Sequence, residues 1–339
     1  MTQHRPVVAL AMRTGLPEQL FVGRAQDRLR AVAAVDPSSP WSTWDDARAS
    51  GSLGDVEVLV TGWGIGRIDA RVLDDAPALR AIIHAAGSVK GLLDPVCWER
   101  GLAISTAAEA NAVPVAEYTL AAVLLAGKRA FLAAARASGR ASGPVPTAST
   151  GAEAVGNYGR TVGVVGASRV GRRVLAALQS VNLEVLLHDP FIDAAEAAAM
   201  GAHLVPLDEL VSAADIVTLH APAVSSTHHL LDARRLGLMR DGATLINTAR
   251  GWLVDHDALT AEVVAGRLHA VLDVTEPEPL PPGHPLLSSP NALITPHVAG
   301  ALGTELQRLG DWAVDELERY AAGEAFAAPV MLADFDRIA

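Results

Sequence analysis

The chain has 339 residues, half of them hydrophobic and only 4% aromatic, with a formal net charge of −11. That length exceeds what one core usually serves and predicts two domains; the aliphatic composition suits helices packed on a parallel sheet. The acidic balance removes the electrostatic reason to bind nucleic acid or an anionic membrane, and a single cysteine, Cys97, excludes an internal disulfide framework or a cysteine-based zinc cluster. In its setting Asp94-Pro95-Val96-Cys97-Trp98, that thiol reads as packed and inert rather than nucleophilic.

The chain opens with residues 6–12, apolar but too short for the core of a secretion signal, and better read as a first strand. The expected location is therefore the cytoplasm. Further buried strands are predicted at 56–61, 80–85 and 102–106, with polar helical patterns such as 68–75 between them. This is βαβ punctuation, which predicts a parallel sheet. A long helix is expected over about 115–138. Its Leu, Ala and Val positions cover more than one face, so it should be buried on several sides, between domains or in a dimer interface. The longest apolar run, 112–127, is interrupted by Glu117 and falls short of a membrane span. Residues 138–159, rich in Gly, Ser, Pro and Thr, read as an irregular connection. From 161 the rhythm restarts, with strands at 161–165, 183–188, 215–220, 243–247, 269–273 and 292–295. An amphipathic last helix over about 303–322 stops at Gly323.

The segment from Thr161 to Gly171 reads as strand, tight turn and helix start, and nearly fits the G-x-G-x-x-G dinucleotide pattern. Gly166 would make the turn, and Gly171 would let helix and strand pack closely. Backbone amides at the helix start, around Arg169 and Val170, would hold a pyrophosphate. Ser168 replaces the middle glycine, so a side chain stands where the backbone should approach the phosphates; its hydroxyl could bond them instead. The next strand ends in Asp189, which could bind a ribose 2′-hydroxyl and would repel a 2′-phosphate, favouring NAD over NADP. The plainer reading of Asp189 is a turn residue before Pro190.

Three later segments each put a polar residue just beyond a strand end: Asn247-Thr248-Ala249-Arg250-Gly251, Thr275-Glu276-Pro277-Glu278-Pro279 and Thr295-Pro296-His297. In an open parallel sheet that edge is where ligands bind. Reducing a 2-keto acid needs a hydride for carbon and a proton for oxygen. His297 is the natural proton donor, because imidazole titrates near neutrality. Glu278 would fix the ring's orientation and favour its charged form. Arg250, forked and always charged, can hold a carboxylate and polarise the carbonyl. Singly, each has a plain alternative: a surface arginine, a solvated acid in a proline-rich turn, a helix-capping histidine. Together, behind a nucleotide loop, they point to catalysis.

The stretches Asp215-Ile-Val-Thr-Leu-His-Ala-Pro222, Ile246-Asn-Thr-Ala-Arg-Gly251 and Thr295-Pro-His-Val-Ala-Gly300 resemble the D-isomer-specific 2-hydroxyacid dehydrogenase family, over about residues 79–323. The resemblance implies an α/β protein with a Rossmann NAD-binding domain, 118–300, inserted into a flavodoxin-like substrate domain, 1–117 plus 301–339. It implies a homodimer acting on a small 2-keto or 2-hydroxy acid. It assigns Arg250 to substrate, Glu278 to the histidine and His297 to acid/base work, with Glu276 the nearby competitor for Glu278. Cofactor contacts would extend to His220, Pro222, Thr227, Thr248 and Asp273. The family's substrate loop reads Ala86-Gly87-Ser88-Val89-Lys90 here. The amides of Gly87 and Ser88 would still serve the carboxylate, while Lys90 replaces the usual acid and hints at a second anionic group on the substrate. Trp252 would shape or cover the site. The family's formate dehydrogenases carry Gln where Glu278 stands. Two alternatives are an NADH-binding scaffold or corepressor-like regulator with little turnover, and an NADPH-preferring glyoxylate/hydroxypyruvate-type reductase.

Overall fold

A computed structural model describes residues 4–143 and 155–337. Chain contacts divide it into two units: 1–112 with 301–338, and 113–300 running between those segments.

In the first unit, β1 (Val8–Ala11), β2 (Val58–Thr61), β3 (Ala81–His84) and β4 (Ala103–Thr106) form a parallel sheet in that order. The strands are short runs buried on both faces, so successive residues alternate between two cores. Leu10, Val58, Val60 and Ile83 face one, with Leu309 and Leu317 from the helix Leu306–Ala321. Leu59 and Ile82 face the other, with Ile68, Leu93 and Cys97. Burial pushes the Cys97 thiol up to about 11, as suits a packing residue. Residues 34 and 41 form parallel bridges with Val7 and Ala11 on the outer edge of β1. Counting that segment, the order becomes 2-1-3-4-5, the flavodoxin-like arrangement.

The second unit carries a seven-stranded parallel sheet. Its strands are β5 (Arg160–Val165), β6 (Leu183–His188), β7 (His203–Leu204), β8 (Ile216–Leu219), β9 (Thr244–Asn247), β10 (His269–Leu272) and β11 (Ala292–Ile294). They run β11-β10-β9-β8-β5-β6-β7, the doubly wound order. Its two faces again hold separate cores: Val162, Val164 and Ile216 on one, Val165, Val217 and Leu219 on the other. After β5 the chain turns to β6 on one side, while β8 lies on the other. That reversal is the switch point at which such sheets bind ligands.

Three expectations need correction. The helix expected over 115–138 is two, Ala108–Gly127 and Ala130–Ala137, broken where Arg129 adopts a left-handed φ of 51°. The first is 20 residues long and, by length and composition, apolar enough to cross a membrane. The 112–127 reading missed this because the helix begins four residues earlier. Of its most apolar window, 56% is buried inside the protein, as in a core helix. The strand β7 was not anticipated, two residues being too few to show a period. Of the expected connection at 138–159, residues 144–154 lie outside the described residues.

Candidate active site

The turn after β5 is built for close approach. Gly166 has φ of 98°, and a Cβ there would lie 2.7 Å from the Ala221 amide nitrogen; only glycine fits such a site without strain. A Cβ on Gly171 would run into the Gly166 carbonyl. Ser168 lies between them in ordinary extended backbone, φ −65°, so this position does not demand glycine. Its hydroxyl accepts from the Gly171 amide at 3.3 Å, as N-cap of the helix Arg169–Leu178. The serine therefore organises the helix start whose amides and dipole suit a pyrophosphate. Asp189 does two things. One oxygen accepts from the Ala167 amide in the loop at 2.7 Å, the other from Phe191 in its own turn at 2.8 Å.

The other expected cofactor residues line up along the same sheet edge. His220 is 2% exposed, its Nε2 paired with Thr218 at 3.0 Å, and burial pushes its pKa down to about 3. With the ring closed off from solvent, any cofactor contact falls to its main chain. The Thr227 hydroxyl closes the following turn on the carbonyls of Pro222 and Val224, at 2.6 and 3.0 Å. Thr248 is buried and pairs with Thr119 at 3.0 Å.

Arg250 follows β9. The strand-end Asn247, fully buried, donates to the Arg250 carbonyl at 2.8 Å and accepts from the Ala249 amide at 3.0 Å. Those two bonds set the backbone that launches the guanidinium, which donates to the Ala249 carbonyl at 2.6 Å. Burial lowers its pKa from the usual guanidinium value, and the nearby Glu278 charge opposes that shift.

His297 follows β11 in a left-handed conformation, φ 55°, uncommon for a residue with a Cβ. Its loop is held by Asp273, at the end of β10 and 2% exposed. That carboxylate accepts from the Thr295 hydroxyl at 2.6 Å and from the amides of Val298 and Ala299 at 2.8 and 2.9 Å. Tyr118 adds a 2.8 Å bond to Thr295. The Nδ1 of His297 meets Glu278 Oε1 at 2.7 Å, leaving Nε2 as the other ring nitrogen. This is the geometry of a general acid steadied by a carboxylate. Glu276, the competing acid, lies instead beside His228 and His229. Asn247, Thr295 and Tyr118 were not anticipated. A polar residue at a strand end just before Arg250 was the available cue for Asn247.

Gly87, Ser88 and Lys90 belong to the other unit, after β3. The Thr106 hydroxyl donates to the carbonyls of Ala86 and Gly87, at 2.7 and 2.5 Å, fixing the loop from its carbonyl side. The Lys90 amide donates to the Ser88 hydroxyl at 3.4 Å.

Residues 122–299 match the NAD-binding domain of the D-isomer specific 2-hydroxyacid dehydrogenases, so the cofactor is NAD. The chain is 34% identical over 256 residues to the (S)-sulfolactate dehydrogenase of Chromohalobacter salexigens, covering 75% of this chain and 81% of that one. It is 30% identical over 272 residues to the D-3-phosphoglycerate dehydrogenase of Methanocaldococcus jannaschii, covering 80% and 51%. The chain thus spans about half the length of the curated phosphoglycerate dehydrogenases it matches. A solved protein of Thermus thermophilus superposes with a TM-score of 0.75 at 32% identity, covering 96% of this chain and 100% of that one. This chain belongs to the D-isomer specific 2-hydroxyacid dehydrogenase family.

Proposed function

We propose that this chain is an NAD-dependent oxidoreductase that interconverts a small 2-keto acid and its 2-hydroxy acid. The observation that carries this reading is the 2.7 Å His297–Glu278 pair, together with the half-buried Arg250 that feels the same glutamate. The residues fit the cofactor: Gly166, Ser168 and the amides of Arg169, Val170 and Gly171 for the pyrophosphate, Asp189 for the ribose. Pro222, Thr227 and Thr248 belong to the same proposed edge, while Asp273, expected there too, spends its carboxylate on the 295–299 loop. When bound, NADH supplies the hydride that C2 gains. Arg250 holds the substrate carboxylate and polarises the carbonyl, with the Gly87 and Ser88 amides as further donors. His297 gives its Nε2 proton to the carbonyl oxygen, while Glu278 keeps the ring in one orientation.

Lys90 supports a substrate with a second anionic group. Two relatives are named for sulfolactate and phosphoglycerate, acids that carry a sulfonate or a phosphate besides the carboxylate. The reading includes a cytoplasmic homodimer with neither nucleic acid nor membrane as partner; the net charge of −11 supports the last point. The test is oxidation of NADH and of NADPH with a panel of 2-keto acids, with and without a second anionic group. The expected result is turnover with NADH, best with the doubly anionic acids and reduced for those in Lys90→Ala. Tight NADH binding without turnover on any keto acid would overturn the enzymatic reading.

A further inference from the structure

Away from the His297–Glu278 pair, three side chains with metal-ligating atoms converge. His228 and His229 are consecutive, and in extended chain their rings would point to opposite sides. The left-handed backbone of His229, φ 47°, turns the second ring back. The two rings stack with centroids 3.9 Å apart and planes 22° apart. Glu276, from the turn after β10, brings its carboxylate to the same place, so that one ligand atom from each of the three lies within 4.8 Å of the others. Zinc bonded to nitrogen and oxygen at about 2.0–2.2 Å spaces tetrahedral ligand atoms roughly 3.4 Å apart. To ligate one ion the two rings must turn out of their stack until both in-plane nitrogens face it, a rotation open to His228 and Glu276, which are exposed, and to His229, which is half-buried.

The surroundings resemble a supported site rather than a chance encounter. The His229 amide donates to the Trp252 carbonyl at 3.0 Å. The Trp252 ring lies 4.1 Å from that of His228 and is anchored by its own bond to the Val224 carbonyl at 3.0 Å. These contacts hold the turn that carries the two imidazoles and give one side of it an apolar wall. His256 lies within electrostatic reach of both Glu276 and His229, and its Nε2 is buried without a hydrogen-bond partner.

We propose that His228, His229 and Glu276 bind one divalent transition cation of the zinc class per chain, with a fourth position open to water. Two imidazoles and a carboxylate suit that class better than magnesium or calcium, which prefer all-oxygen shells. The ion would join the 228–229 turn to the Glu276 turn. Its ligand His228 already lies against Trp252, whose neighbour Gly251 sits against the Thr275 carbonyl with no room for a Cβ. Arg250 and Glu278 flank these clamped residues, so occupancy would fix both loops. That consequence for catalysis rests on the function proposed above; the binding does not.

The test is calorimetric titration of the full chain with Zn²⁺, without keto acid, on wild type, His229→Ala, Glu276→Gln and His297→Ala, alongside thermal unfolding with and without the ion. One site per chain is expected in wild type and in His297→Ala, weakened at least about tenfold in the other two, where a ligand is lost. Zinc should raise Tm in wild type and lose most of that effect in Glu276→Gln, whose exposed, isosteric change leaves the fold intact. Absence of saturable binding, binding unchanged in both His229→Ala and Glu276→Gln, or binding lost in His297→Ala would overturn the proposal. None of these outcomes depends on turnover, so the failure of this site and of the proposed reaction can be told apart.

Discussion

Arg250 and His297 leave the same edge of one sheet, after β9 and β11, yet their surroundings are opposite. Arg250 is half-buried, and burial lowers the pKa of its guanidinium. The His297 and Glu278 side chains are 52% and 40% exposed. Behind each stands a buried polar residue that shapes the loop, Asn247 for Arg250 and Asp273 for His297. The difference follows from the proposed tasks. A fixed cation that grips a carboxylate acts more strongly where water is excluded. A group that gives up a proton each cycle must recover one from solvent. Both loops are braced by hydrogen bonds, and their charged tips differ in access to water.

The comparison can be broken at either tip. The largest effect is expected at the exposed one: His297→Ala should lower kcat by about 10²–10⁴, the scale for losing a general acid. Near-normal kcat in steady-state assays would remove His297 from the reaction. At the half-buried tip, Arg250→Ala should lower kcat/KM by about 10²–10³, the loss typical of an oxyanion-holding donor. Arg250→Lys should recover little, because a point charge cannot replace the fork; recovery to within a few-fold would show that charge alone matters there.

The bracing residues sharpen the contrast through stability. Asp273→Ala leaves three donors without their acceptor and should cost about 3 kcal/mol or more in urea denaturation. An unchanged midpoint would mean that the His297 loop holds itself. Three other histidines give a pH signature in stability. Burial lowers His84, His220 and His269 to about 4, 3 and 4, so each stays neutral when folded while the unfolded chain takes up a proton near 6.5. Their contribution is complete above 6.5 and is lost as pH falls toward 3–4, at about 1.4 kcal/mol per pH unit for each histidine. Stability measured across that window should slope less in His220→Gln; an identical slope would refute the assignment. The smallest effect is expected at the cofactor turn. Ser168→Ala should cost about 1 kcal/mol by removing the N-cap, and Ser168→Gly only a few tenths. Equal losses would show that the hydroxyl does not cap.

Much of this was legible in local pattern. Runs such as Val58–Thr61 and Ile216–Leu219 are buried on both faces, so their continuous apolar character announced parallel strands before any fold was known. Gly166 and Gly171, the Arg250 and His297 segments and the family they resemble were likewise readable, because backbone constraints and reactive groups are written one residue at a time. Other features depended on partners distant in the chain. The break at Arg129 had only Gly127 nearby as a cue, and the edge segment at residues 34 and 41 is two isolated bridges rather than a periodic strand. Asp273 read as a cofactor contact, but its three bonds to the 295–299 loop reveal a brace, and that requires knowing that β10 and β11 are neighbours. The stacking of His228 on His229 against Trp252 was equally invisible.

By itself the order of residues determined the parallel α/β class, the nucleotide turn and the identity of the groups available for proton transfer, since these follow from side-chain type and short-range spacing. Tertiary structure alone decided that Arg250 is half-buried while His297 is exposed, that Asp273 braces the His297 loop, and that Ser168 caps a helix. Each of those outcomes depends on distances and solvent access between segments joined only by folding.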